Sequence, residues 1–231
     1  CANDCRFEYE LYVANKEHGT LFRIEEQSDV GTYIFNAKDM NLASHIDEIL
    51  KSGAIDSLKI EGRTKSSYYA AVTAKAYRNA IDDYYEGKFN ADSYQKELYT
   101  TKNRGFTDAY LIHRPFEKND AQNLEYAMSK GSYEVSGLVL EDGEHFLCKY
   151  KTYPNEKIEI FTPNNTILPL CDNEIGKIEL IDGTYYITFK QIITKEGKAL
   201  ESVHSGNINP IKLPCKLPYL TIFRVQADEE L

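Results

Sequence analysis

The chain has 231 residues, 42% hydrophobic and 27% charged, with a net charge of −9. That balance fits a globular protein with one large or two small cores, leaves no apolar run of membrane-span length, and confines any RNA site to a local patch on an otherwise repelling surface. Five cysteines, odd in number and unevenly spaced, are too few for a disulfide scaffold and point to a reducing, cytoplasmic setting.

The chain opens on "CANDCR", with Cys1 and Cys5 three residues apart and no methionine or charged leader before them. A disulfide half, a metal-site half and two ordinary thiols all fit this spacing. Two thiolates do not complete the four-coordinate shell of zinc or an iron–sulfur centre. Further ligands would come from Cys148, Cys171 or Cys215, which fall in strand-like sequence where a buried, inert thiol is the default, or from sequence beyond this chain.

"TYIFN" (Thr32–Asn36) predicts a strand. Asp39 is placed to cap a following helix that carries Leu42, Ile46, Ile49 and Leu50 on one face and ends at Gly53. "SLKIE" (Ser57–Glu61) predicts a second strand. A second helix from about Ser67 has Tyr69, Val72, Ala76, Ala80 and Tyr84 spaced at three and four, with Gly87 as its stop. Strand–helix–strand–helix is the grammar of a parallel sheet, but two such units neither bury a parallel sheet nor close a barrel. The chain is therefore expected to be part of a longer protein whose remaining sheet lies N-terminal.

Residues 88–130 read as a polar connector with a short helix around Ser93–Leu98 and "RGFTDAYL" (Arg104–Leu111) within it. From Tyr133 the pattern changes to alternation. "YEVSGLVLEDGEHFLCKYK" predicts a hairpin at Asp142-Gly143 and "GKIELIDGTYYITFKQI" another at Asp182-Gly183. With "KIEIF" and "YLTIFRV" these make about six strands, a small antiparallel β-barrel. The expected domains are 1–87, the last βα units of a barrel; 88–130, the connector; and 131–231, the β-barrel.

Reactive groups of βα sheets sit where strands run into loops. The first strand end offers Asn36 and Asp39. The second, "KIEGRTKS", offers Lys59, Glu61, Arg63 and Lys65 around Gly62, which allows a sharp turn. Arg63 and Lys65 would face an anionic ligand, with Glu61 as base or arginine partner; a solvated loop with a structural Glu–Arg pair fits the same composition. From Lys59 to Arg78 five basic residues meet one acid, with Tyr68, Tyr69 and Tyr77 interleaved. That composition suits base stacking and phosphate binding, and equally an amphipathic helix with packed tyrosines. No HExxH or GxSxG motif occurs, and the histidines are isolated.

In order and spacing, "CANDCRFEYEL", "GTYIFNAKDMN", "LKIEGRTKSSYYAAVTAKAYRNAID" and "RGFTDAYL" resemble the collagenase-like peptidase family U32, and within it the branch that hydroxylates the wobble uridine of tRNA. The resemblance is strong over roughly residues 1–112. It implies that the N-terminal part contributes the last units of a TIM-type barrel, followed by a small β-barrel domain. It implies a [4Fe–4S] cluster held by four cysteines, of which Cys1 and Cys5 match the last two. It further implies tRNA as substrate and prephenate as the small-molecule hydroxyl donor. From their places at strand ends and in the basic, tyrosine-bearing stretch, Glu61 and Arg63 are the candidate catalytic groups, and Lys59, Lys65, Asn36, Asp39 and Tyr68 the candidate substrate-binding groups. With half the cluster ligands elsewhere, this piece alone is expected to be inactive. A collagenase-like peptidase is the second reading, and a module that only binds RNA or a partner is the third.

Overall fold

The computed structural model describes residues 10–227 except 15, 18, 20, 28–30, 34–36, 113–117 and 124–128. The fold is mixed α/β and divides into two compact units, Cys1–Leu42 with Asn103–Lys130, and Ala43–Lys102 with Gly131–Leu231.

In the first unit, β1 (Leu11–Ala14), β2 (Leu21–Gln27) and β3 (Gly31–Tyr33) form an antiparallel sheet in that order. The strand expected at Thr32–Asn36 is thus present in its first residues, but β3 pairs antiparallel with β2, so it is not the start of a parallel βα unit. Parallel pairing occurs one step later, between β4 (Asp39–Met40) and β5 (Phe106–Thr107), with Asp39 opposite Phe106. The stretch "RGFTDAYL" therefore holds a short strand where an irregular connector was expected. A four-residue helix spans Lys118–Ala121.

The second unit opens with a 3-10 turn at Ala43–His45 and α1 (Ile46–Lys51). This helix is shorter than the spacing predicts, because Asp39 lies in β4 and no side chain caps the helix start. Ser57–Glu61 is not a strand. It has no strand partner among the described residues, and Leu58 and Ile60 are 38% and 45% exposed; an extended segment without a neighbour gains no ladder bonds. The next helix, α2 (Ser67–Tyr85), matches the expectation, with the Ser66 side chain accepting from the Tyr69 N–H at 3.2 Å and Gly87 at φ +71 just beyond its end. Helix α3 (Ala91–Leu98) follows, capped by Asn90.

The rest of this unit is an eight-stranded antiparallel sheet. Its strands are β6 (Tyr133–Val139), β7 (His145–Cys148), β8 (Lys157–Phe161), β9 (Cys171–Asp172), β10 (Gly176–Ile181), β11 (Thr184–Phe189), β14 (Ile211–Lys212) and β15 (Ile222–Gln226), while β12 (Ile192–Ile193) and β13 (Ala199–Leu200) pair separately. Spatial order is β14-β7-β6-β15-β8-β11-β10-β9. Both Asp-Gly hairpins form as predicted; at the second, Ile181 pairs with Thr184 across Asp182 (φ 48) and Gly183 (φ 81), the double positive-φ turn that matches strand twist. The sheet curls into a half-barrel, which brings the chain beyond β9 to the chain beyond β14. Asn173, just after β9, donates from Nδ2 to the Pro214 carbonyl just after β14 at 2.7 Å, and the Cys171 and Cys215 thiols are hydrogen-bonded.

Strand alternation gives the sheet two buried faces. Inside the curl, Phe146 and Phe189 stack at 5.2 Å and Phe223 meets them edge-on at 5.1 and 6.3 Å, among Ile158, Ile178, Ile187 and Ile211. Outside it, Phe161 and Ile222 pack against Tyr68 and Val72 of α2. Gly137 of β6 lies under the aromatic trio: an added Cβ would stand 2.6 Å from Phe146 Cδ2 and 3.1 Å from Phe223 Cδ2. Both rings are fully buried and cannot swing aside, so Gly137→Ala is expected to destabilise the protein by about 1–3 kcal/mol, read as a lower urea midpoint. An unchanged midpoint would show that the trio yields.

Candidate functional site

The loop from Lys59 to Ser66 is built by the start of α2. Gly62 and Lys65 close a turn through the Lys65 N–H and the Gly62 carbonyl at 2.9 Å. Gly62 does not have a positive φ; its role is close approach, since a Cβ would sit 2.7 Å from the Tyr69 ring. The Tyr69 hydroxyl donates to the Glu61 carbonyl at 3.2 Å, and Lys65 lies over the Tyr69 ring at 5.4 Å while reaching the Lys102 carbonyl at 3.4 Å. A tyrosine clamp thus shapes the loop from beneath.

The cations of this stretch differ in availability. Lys59 pairs with Glu61 at 2.7 Å, but with side chains 84% and 73% exposed the pair is weak and open to exchange. Arg78 is engaged by Asp82 on the next helical turn. Lys75 turns inward, donating to the Thr162 carbonyl at 2.8 Å over the Phe161 ring, and burial lowers its pKa. Arg63 is exposed and forms no ion pair or hydrogen bond among the described residues. An exposed guanidinium beside a loosely held Lys–Glu pair and Lys65 can take a carboxylate or phosphate by charge-assisted bonds.

Tyr68 sits elsewhere. It is only 6% exposed, its hydroxyl donates to Thr100 Oγ1 at 2.9 Å and accepts from Arg224 at 3.0 Å, and burial raises its pKa. Its ring meets Phe161 edge-on at 6.1 Å. It is a packing and hydrogen-bonding residue under α2 in this structure.

In the first unit, Asp39 is held by Arg104. The guanidinium donates from Nη2 at 2.6 Å and Nε at 3.2 Å, and the Arg104 N–H reaches the other carboxylate oxygen at 3.3 Å. Arg104 was not singled out from the sequence; an arginine and an aspartate at the starts of two strands are the signal that would have found it. Asn36, Cys1 and Cys5 lie outside the described residues.

Among the described residues no group of three or more His, Cys, Asp or Glu side chains can hold a metal. Cys148 is buried, with its thiol donating to the Tyr150 carbonyl at 2.8 Å. Burial, with the Cys171 thiol beside it, pushes Cys215 up to about 12, so this thiol stays protonated and is a poor ligand in that state. No helix among the described residues is long and apolar enough to cross a membrane.

Comparison with known proteins places these residues in context. The model of peptidase family U32 matches residues 1–121. The chain is 50% identical over 227 residues to tRNA hydroxylation protein P of Helicobacter pylori, covering 98% of this chain and 54% of that protein. It is 32% identical over 209 residues to tRNA hydroxylation protein P of Escherichia coli, covering 72% and 46% respectively. A collagenase of Porphyromonas gingivalis is 31% identical over 115 residues, 48% of this chain and 26% of that protein. The chain thus spans about half the length of the tRNA hydroxylation relatives. No solved structure matches it.

Proposed function

Since the chain belongs to peptidase family U32, we propose that the intact protein is a tRNA hydroxylase forming 5-hydroxyuridine at the wobble position, and that this chain contributes its later part. The observation that carries the proposal is the 50% identity, over 98% of the chain, to a protein named for tRNA hydroxylation. We also propose that residues up to 87 complete a TIM-type barrel with sequence outside this chain. Ser57–Glu61, strand-like in composition but without a strand partner among the described residues and with Leu58 and Ile60 exposed, supports that reading, because a parallel strand forms only beside neighbours.

Within the intact protein, Arg63 and Lys65, with Lys59, bind the carboxylates of a prephenate-class hydroxyl donor, and Glu61 serves as proton acceptor beside them. The open Arg63 side chain and the exposed Lys59–Glu61 pair support these roles. Asn36 and Asp39 are further candidates for substrate binding, with Arg104 as a positioning residue for Asp39. Cys1 and Cys5 supply two of four thiolates for a [4Fe–4S] cluster, a donor type suited to iron–sulfur binding. The cluster would supply redox chemistry at the site.

The test is nucleoside analysis of tRNA from a strain lacking this protein and any redundant hydroxylase. Wobble 5-hydroxyuridine is expected to vanish, to return with the wild-type gene, and to fall at least about tenfold short with Arg63→Ala, the scale of one lost charge-assisted contact. Unchanged 5-hydroxyuridine in the deletion strain would overturn the proposal. The likeness to a collagenase keeps a peptidase as the second reading; peptide release by the purified intact protein, abolished by one of these substitutions, would establish it.

A further inference from the structure

On the β-barrel part of the second unit, away from the Lys59–Ser66 loop in sequence, a cavity of about 440 Å³ is lined by Glu144, His145, Lys195, Lys212, Cys215 and Lys216, with Leu213. The topology assembles it. His145 and Lys212 stand directly opposite in the β7–β14 pairing and so share a face. Lys195 is brought to the start of β14 by its N–H bond to the Pro210 carbonyl at 2.8 Å, and the segment carrying Cys215 and Lys216 is tied down by the Leu213 N–H to Glu144 and the Leu217 N–H to Gly143 carbonyls, both at 2.9 Å.

The charge pattern is unusual for this chain. Acids outnumber bases, 36 to 27; on the barrel Lys157, Lys177 and Lys190 have carboxylate partners, whereas Lys149, Lys151 and Lys198, which do not line the cavity, form no ion pair among the described residues. The three cavity lysines have none: neither Lys195, Lys212 nor Lys216 forms an ion pair among the described residues, with Glu144 at the rim included. Like charges lining one cavity repel one another, and an anion bound there offsets that repulsion. At the cavity, His145 is 8% exposed and fixed from behind. Asp142 Oδ2 accepts from its Nδ1 at 2.8 Å, and the Glu144 and His145 N–H groups donate to Asp142 Oδ1 at 2.9 and 3.1 Å, which holds that carboxyl below its ordinary range. With Nδ1 committed to Asp142, Nε2 is the edge of the ring left for a ligand.

We propose that this cavity binds a phosphate group, with Lys195, Lys212 and Lys216 neutralising its charge and His145 Nε2 sharing a proton with one of its oxygens. Lysines suit phosphate as strongly hydrated point charges, and the cavity volume falls in the range of small-molecule sites. The group is either a free phosphate compound or one phosphodiester of an RNA strand. The inference stands independently of the tRNA reading, because it needs no reaction and no RNA sequence.

The experiment is an NMR titration of the ¹⁵N-labelled chain with inorganic phosphate, pyrophosphate and a short single-stranded oligouridylate, at ionic strength held constant with NaCl. Saturable shifts of the His145 ring nitrogens and of the Lys212 and Cys215 amides are expected with at least one ligand. Lys195→Ala/Lys212→Ala/Lys216→Ala, shown by circular dichroism to be folded, is expected to weaken that binding at least about tenfold. Binding of pyrophosphate but not RNA assigns the site to a small phosphate compound; RNA binding displaced by pyrophosphate assigns it to an RNA phosphodiester. Absence of saturable shifts at His145 with all three ligands, or equal binding by the folded triple variant, would overturn the proposal.

Discussion

Arg224→Met is expected to destabilise the protein by about 3–5 kcal/mol, the cost of breaking a buried ion pair from one side. Arg224 is 6% exposed on β15 and faces the helices. Its guanidinium pairs with Glu97 of α3 and Glu159 of β8, donates to the Tyr68 hydroxyl at 3.0 Å, and lies over the rings of Tyr133 and Phe161 at 4.7 and 5.1 Å. Those carboxylates hold its pKa above the ordinary arginine value against the opposing effect of burial. Removing the cation leaves Glu159, whose side chain is 12% exposed, and Glu97 without their shared cationic partner. Arg224→Met with Glu97→Gln and Glu159→Gln is expected to recover much of the loss, since neutral amides do not repel. Urea unfolding measures both variants; a single-variant loss below about 1 kcal/mol would place this network with ordinary surface pairs.

The second large effect lies on the opposite face of the same strand. Phe223 is fully buried between Phe146 and Phe189. Phe223→Ala removes its ring from a close-packed interior that can relax only in part, for an expected loss of about 3–5 kcal/mol. Phe223→Leu keeps most of the volume and is expected to lose clearly less. Equal losses for the two substitutions would show that volume is not what matters at this position.

The parts of the fold legible in the sequence were those fixed by neighbours in sequence. Helix α2 carries its cap, its apolar stripe and its stop within one window, and the Asp182-Gly183 hairpin carries its turn chemistry between two alternating runs. Ser57–Glu61 has the composition of a strand, but strand formation depends on a partner that composition does not supply. Asp39 has a capping residue's identity, yet Arg104, 65 residues away, gives its carboxylate a stronger partner. At the candidate site the loop cations were found by charge and position, whereas their availability was not: Lys75 turns inward and Tyr68 faces Arg224, 156 residues distant. The lysine cavity was invisible for the same reason, its members being scattered through three separate stretches.

The sheet order also bears on how the protein is made. β15 follows the other described strands of this chain but lies between β6 and β8 in the middle of the sheet. During synthesis, β6 with β7 and β8 with β11 can form as local ladders, yet the two halves share no strand contact until the ribosome has delivered Ile222–Gln226. The nascent domain therefore waits with two open edges and an uncovered aromatic core, the condition in which chains mispair. A premature stop before Thr221 would leave β6 and β8 without the strand that pairs with both.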